Sequence, residues 1–125
     1  IAMYTFTENE ILNALIAASN RGVNVCLYID RGMSRGVCKK FINRCLKTNI
    51  HVAESQGDGY LHYKCALIDN SYVFGSTNWT KSGFFKNFEY FLFINQLNKK
   101  ELSYLKNFFY QIKITCKELK KPDID

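Results

Sequence analysis

The stretch Leu61-His-Tyr-Lys-Cys-Ala-Leu-Ile-Asp-Asn-Ser-Tyr-Val-Phe-Gly-Ser-Thr-Asn78 decides how this chain is read. Leu61 to Ile68 predicts a strand, Asp69-Asn-Ser71 a hairpin turn, and Tyr72-Val-Phe74 the returning strand, because Asp and Asn tolerate the left-handed backbone that tight turns need. Side chains two apart on a strand leave the same face, so His62 and Lys64 point together. Ser76 and Asn78 repeat that spacing after the turn. Four polar groups can therefore converge on one point, at the same end of a hairpin.

Those residue types suit a phosphodiester. An imidazole is nucleophilic and mostly neutral near pH 7, an ammonium offsets phosphate charge, and Ser and Asn can donate to the non-bridging oxygens of a pentavalent transition state. Glu89, after Asn87-Phe88, is a candidate acceptor for the second imidazole nitrogen, where it would set the tautomer and stabilise imidazolium. Asp69 lies seven residues past His62, so parity points it to the opposite face; it reads as a structural acceptor at the hairpin that contributes positioning. A zinc site needs three or four ligands, and His62 with Cys65 or Asp69 supplies neither the spacing nor a second cluster, so no metal or cofactor is expected. His51 reads as an ordinary hydrogen-bonded histidine, and Trp79 as a core anchor beside the site.

Working outward, Ile1 to Thr5 predicts a strand, and Thr7-Glu-Asn-Glu10 a capping box opening a helix whose Ile11, Leu12, Leu15 and Ile16 share a face. Gly22 stands where a left-handed C-terminal residue is wanted. Val23 to Ile29 predicts a buried strand ending at Asp30-Arg-Gly32. Ser34 is the expected cap of a second helix, with Val37, Phe41 and Cys45 facing the core and Arg35, Lys39, Lys40, Arg44 and Lys47 in water. Strands follow at Ile50 to Ala53 and Phe88 to Ile94, and Gln56-Gly-Asp-Gly59 interrupts the pattern. From Asn98 to Lys121, Leu102, Leu105, Phe109, Ile112, Cys116 and Leu119 step by three and four, which predicts one long amphipathic helix with a solvated lysine face. Lys120 to Asp125 reads as a fraying end. Alternating strands and helices predict an α/β fold, an α-β-α sandwich around a mixed sheet.

The 125 residues fit one domain, residues 1–125, and 47% hydrophobic content with a single Pro excludes the composition of a disordered chain. No apolar run approaches the ~20 residues of a membrane span. The opening Ile1, inside an apolar strand, suggests residues upstream. Five cysteines, an odd number without Cys-x-x-Cys spacing, are expected as free thiols, which favours a reducing compartment such as the cytoplasm. The net charge of +6 attracts phosphate polyanions or anionic lipid surfaces without choosing between them. Arg31, Arg35, Lys39, Lys40 and Lys81 are the candidates for gripping such a backbone.

His62-x-Lys64-x₄-Asp69 followed by Gly75-Ser-Thr-Asn78 resembles the signature of the phospholipase D superfamily. Gly75-Ser-Thr-Asn78-Trp-Thr80, Gly83 and Asn87-x-Glu89 are similar to its single-motif branch, which includes small bacterial endonucleases and mitochondrial Zucchini. Tyr4-Thr-Phe-Thr7, Leu15-Ile-Ala-Ala18 and Arg21-Gly-Val-x-Val-x-Leu-x-Ile-Asp30 resemble the family's opening β-α-β unit. Five residues separate Asp69 from Gly75, one fewer than the family pattern, which predicts a tightened hairpin. The resemblance implies metal-independent displacement: His62 attacks phosphorus to form a phosphohistidine, and the histidine of a second motif protonates the leaving group and then activates water. One motif per chain implies a homodimer presenting two His62 residues to one phosphate. The expected substrate is single-stranded nucleic acid, DNA or RNA, cut by an endonuclease. The alternatives are a lipid phosphodiesterase acting on a phospholipid such as cardiolipin at a membrane surface, and an idle binding module.

Overall fold

The computed structural model describes residues 1–121. Its strands are β1 (Ala2–Met3), β2 (Cys26–Ile29), β3 (His51–Ser55), β4 (Lys64–Ile68), β5 (Ser71–Gly75), β6 (Phe91–Ile94) and β7 (Cys116–Glu118); its α-helices are α1 (Asn9–Asn20), α2 (Arg31–Arg35), α3 (Lys39–Leu46) and α4 (Lys99–Ile114). The strands form one mixed sheet in the order β6-β5-β4-β1-β2-β3-β7. β1, β2 and β3 run parallel, as strands joined by helical crossovers do, and β4, β5, β6 and β7 are added antiparallel. This is the expected α-β-α sandwich.

Period-two alternation sorts the side chains into two cores. Met3, Leu27, Ile29 and Val52 face the layer of α1, α2 and α3, where Phe6, Leu12, Phe41 and Ile42 complete the packing. Their neighbours Ala2, Tyr28 and Ala53 face α4 with Leu61, Cys65 and Ile112. Trp79 packs on the first core, edge-on to Phe6 at 5.1 Å, the anchor role its sequence context indicated. Cys38, Cys45 and Cys65 are buried, and all five thiols are free.

α1 ends as foreseen: Gly22 adopts φ +92°, the Gly22 N–H reaches the Ser19 carbonyl at 3.0 Å and the Val23 N–H that of Ala18 at 3.1 Å, closing a Schellman motif. Its start does not. The Thr7 and Glu8 N–H groups both donate to the Trp79 carbonyl, so the chain is still held alongside Trp79, and Glu8 rather than Thr7 caps the helix through the Glu10 N–H. The cap of α2 is Asp30, which accepts from the Met33 N–H, while Ser34 is buried inside the helix. Ser34 Oγ donates to Glu54 Oε2 at 2.7 Å, and the Arg35 guanidinium grips the same carboxylate, which is 1% exposed. Arg35 stays exposed, as expected, but its guanidinium is engaged by this buried carboxylate instead of standing ready for substrate; Val37, expected in the core, is exposed.

The predicted long helix stops at Ile114. Thr115 closes it by hydrogen-bonding the Ile112 carbonyl at 2.8 Å, and Cys116–Glu118 then pairs antiparallel with β3 and covers that edge of the sheet. Continuing the helix would leave the β3 edge unpaired, and backbone pairing there outweighs the 3.6-residue periodicity that Cys116 and Leu119 continue. The strands are also shorter than their apolar runs, β2 beginning at Cys26 and β6 at Phe91. The end read as fraying falls in part on residues 122–125, outside the described residues.

Candidate active site

His62 lies in the extended segment that enters β4, at the end of the sheet where the parallel strands β1 and β2 present their carboxyl ends, the usual position of sites in open α/β sheets. Its backbone is held on both sides. The Leu61 N–H donates to Asp30 Oδ1 at 2.9 Å, and the Tyr63 carbonyl accepts from the Tyr4 N–H at 2.9 Å. Asp30 is 2% exposed and uses both oxygens, one on Leu61 and one as the cap of α2. A single buried carboxylate thus ties the end of β2 to the segment carrying the histidine.

As their spacing requires, His62 and Lys64 project together: Lys64 Nζ stands 3.2 Å from His62 Nδ1 and donates to the His62 carbonyl at 2.8 Å. Tyr4 lies under both, its ring 4.7 Å from the imidazole and its centroid 5.6 Å from Lys64 Nζ. An ammonium only donates, so it hydrogen-bonds Nδ1 in the tautomer that leaves this nitrogen without a proton. The Lys64 pKa is lowered, first by desolvation and against the opposing pull of Glu89, which places the Glu89 carboxylate within electrostatic reach of the ammonium.

The returning strand supplies the rest. Gly75 is required because a Cβ there would collide with the Tyr90 carbonyl oxygen and with Phe91, so its absence lets the start of β6 close over the end of β5. Ser76 follows; its hydroxyl donates to Glu89 Oε1 at 2.7 Å and accepts from the Tyr90 N–H at 3.1 Å. Asn87 donates to Glu89 Oε2 at 3.3 Å. Asn78 Oδ1 accepts from the Thr5 N–H at 3.1 Å, which fixes the side chain and leaves its NH₂ donors facing outward from that bond. The cluster is open to solvent: His62 and Glu89 are exposed, and Lys64, Ser76 and Asn78 half-buried.

Two expectations need correction. Glu89 does not hydrogen-bond His62; Ser76 and Asn87 occupy its oxygens, and Lys64 holds the imidazole nitrogen that Glu89 was expected to bind. Asp69 sits at the far end of the β4–β5 hairpin in a left-handed conformation (φ +54°), exposed, and makes no side-chain hydrogen bond among the described residues. Its value is conformational, in a two-residue turn that joins Ile68 to Ser71. Of the other singled-out residues, His51 is exposed, 3.6 Å from the Glu118 carboxylate. Tyr4, Asp30 and Tyr60 escaped the sequence reading as site residues. A signal existed for the first two, since each directly follows or ends a strand of the parallel unit, at its carboxyl end.

A His-x-Lys pair and a Ser-x-Asn pair, brought together by a hairpin at the end of a mixed α/β sheet with Glu89 beside them, define a phospholipase D-type domain. The sequence profile described as "Cardiolipin synthase, PLD-like domain" matches residues 1–113. The chain belongs to this family of the phospholipase D superfamily. The mitochondrial cardiolipin hydrolase of Xenopus laevis is 29% identical over 90 residues, 71% of this chain and 42% of that protein. Cardiolipin synthase A of Wigglesworthia glossinidia brevipalpis is 28% identical over 100 residues, 76% of this chain and 20% of that protein. The chain thus spans less than half the length of these relatives. Among solved structures, Nuc from Salmonella typhimurium, a phospholipase D family member, superposes with a TM-score of 0.83 at 27% identity, covering 94% of this chain and 78% of that one. NucT from Helicobacter pylori gives 0.84 at 25% identity, covering 95% and 80%.

Proposed function

We propose that this chain is a metal-independent phosphodiesterase that cleaves single-stranded nucleic acid through a phosphohistidine at His62. The observation that carries the reading is the placement of the His62–Lys64 pair and of Ser76, Asn78 and Glu89 at the same end of the β4–β5 hairpin, in a chain with an excess of six positive charges. Lys64 turns from His62 Nδ1 to the incoming phosphate, and Ser76 and the Asn78 amide donate to its non-bridging oxygens. Freed of the ammonium, His62 can carry its proton on Nδ1 and attack phosphorus with Nε2, displacing the leaving oxygen, which takes a proton from a second imidazole. That imidazole then deprotonates the water that breaks the P–N bond. Glu89 orients Ser76 and balances the charge of Lys64.

One chain offers one such histidine, so the second comes from another copy. All four residues of β6, Phe91 to Ile94, are exposed beside Glu89, together with Phe85 and Phe88. An apolar surface of that kind is a reason for a partner to cover it, and in the proposed homodimer a second copy supplies the second His62. A lipid phosphodiesterase is the second reading, favoured by the relatives that act in cardiolipin metabolism by name and by the same exposed aromatics.

The test offers purified protein labelled single-stranded DNA, RNA and fluorescent phospholipids in parallel, with His62→Ala alongside. Nucleic acid is expected to be cleaved and the variant to be folded, binding-competent and inactive. Cleavage of phospholipid alone replaces the substrate reading with the second one. Activity of His62→Ala within about tenfold of wild type overturns the nucleophile assignment, since loss of a covalent catalyst costs several powers of ten.

A further inference from the structure

On the α4 side of the sheet a cavity of about 370 Å³ opens next to the catalytic segment. Leu61 and Tyr63, which flank His62 in the chain and turn to the opposite face, belong to its wall, and Tyr60 connects it to the centre: the Tyr60 ring lies 5.9 Å from that of Tyr4, which lies 4.7 Å from His62. Three rings, Tyr60, Tyr63 and Phe108, supply aromatic walls, Tyr63 and Phe108 being edge to face at 5.3 Å. Between them stand the amides of Gln56 and Gln111. No Asp, Glu, Lys or Arg lines the cavity among the described residues.

From this we infer that the cavity is a subsite for one nucleobase flanking the scissile phosphate; the inference rests on the nuclease reading above and names where that substrate is held. An uncharged wall is wrong for a phosphate or a charged lipid headgroup, neither of which would find a counter-charge there. An acyl chain would fill the space but strip water from two amides and give them no partner. A base meets both demands, with π-faces for the rings and donors and acceptors on its edge for the amides. Gln56 already donates to the carbonyls of Glu54 and Ser55, so it offers its oxygen, while Gln111 can offer either group. Contact through π-faces and adaptable amides gives grip with little sequence preference.

The experiment compares two diesters that release the same 4-nitrophenolate, thymidine 5′-(4-nitrophenyl phosphate) and methyl 4-nitrophenyl phosphate, on wild type, Gln111→Leu and Tyr60→Leu. Gln111 is exposed on α4 and away from the reacting groups, so Gln111→Leu is expected to keep its melting temperature and its turnover of the methyl ester, and to raise KM for the thymidine ester at least fivefold. Tyr60→Leu is expected to raise that KM similarly by removing a stacking face. Equal effects on the two esters, or none, overturn the subsite. A fall in KM for a short-chain phospholipid in Gln111→Leu overturns it in favour of an acyl chain. If wild type turns over the methyl ester and phospholipid but neither the thymidine ester nor single-stranded DNA, the nuclease reading itself has failed, and the subsite with it.

Discussion

Replacing Asp30 by Ser separates two tasks that one buried carboxylate performs. Asp30 Oδ2 accepts from the Met33 N–H and caps α2, and Oδ1 accepts from the Leu61 N–H one residue before His62. Serine caps a helix about as well as aspartate, so the first task survives. Its single, shorter hydroxyl cannot also reach Leu61, whose N–H is then left buried with no acceptor. An orphaned buried donor costs about 1–3 kcal/mol, and for a domain of this size about 1 kcal/mol moves Tm by roughly 3–5 °C. Asp30→Ser should therefore melt roughly 3–15 °C below wild type. Turnover should fall on the order of tenfold or more, because a shift of a fraction of an ångström at His62 spoils the line of attack. Asp30→Asn, which retains one carbonyl oxygen for Leu61, should fall between the two. Thermal melts, kcat/KM on single-stranded DNA and hydrogen exchange at the Leu61 amide are the measurements. An Asp30→Ser protein with wild-type Tm and a Leu61 amide still protected would refute the reasoning.

Three further outcomes are expected. Because desolvation lowers the Lys64 pKa below the ordinary 10.5 and the ammonium is the form that meets phosphate, kcat/KM should decline as pH rises through a value below 10.5; residual activity of Lys64→Arg should persist to higher pH, and a limb at or above 10.5 in wild type would contradict this. Activity should be insensitive to EDTA, since Lys64 and two imidazoles take the part of metal ions; loss on chelation with recovery in Mg²⁺ would disprove the mechanism. Co-refolding wild type with an equal amount of His62→Ala should leave about a quarter of the activity of the same total of wild type if two His62 residues share a centre, against about half for independent sites, as read from initial rates.

Local spacing carried much of the site. The two-residue interval of His62 and Lys64 and the turn at Asp69-Asn70 depend on local chain geometry, and the structure realises both, whereas Ser76 and Asn78 lie beyond the end of β5 and are placed by Glu89, Tyr90 and the Thr5 N–H. The alternation that sends Leu27 and Ile29 to one core and Tyr28 to the other is equally a property of the strand. What lay beyond the sequence were choices between competing partners. Glu8 displaced Thr7 as cap because the Trp79 carbonyl, about seventy residues away, claims the main chain at Thr7; Cys116–Glu118 left the helix because β3 had an open edge; the exposed Arg35 turns its guanidinium to Glu54 because that carboxylate is buried beside it.

Sequence by itself therefore determined the α/β class, the β4–β5 hairpin and the pairing of His62 with Lys64, since these follow from the periods of helix and strand within a few residues of chain. Only the tertiary structure decided which acceptor each group takes: Glu89 on Ser76 and Asn87 instead of His62, Asp30 on Leu61, and Tyr4 beneath the imidazole. A hydrogen bond is settled by whichever partner stands within about 3 Å in the right direction, and residues distant in the chain come that close only after the sheet has assembled.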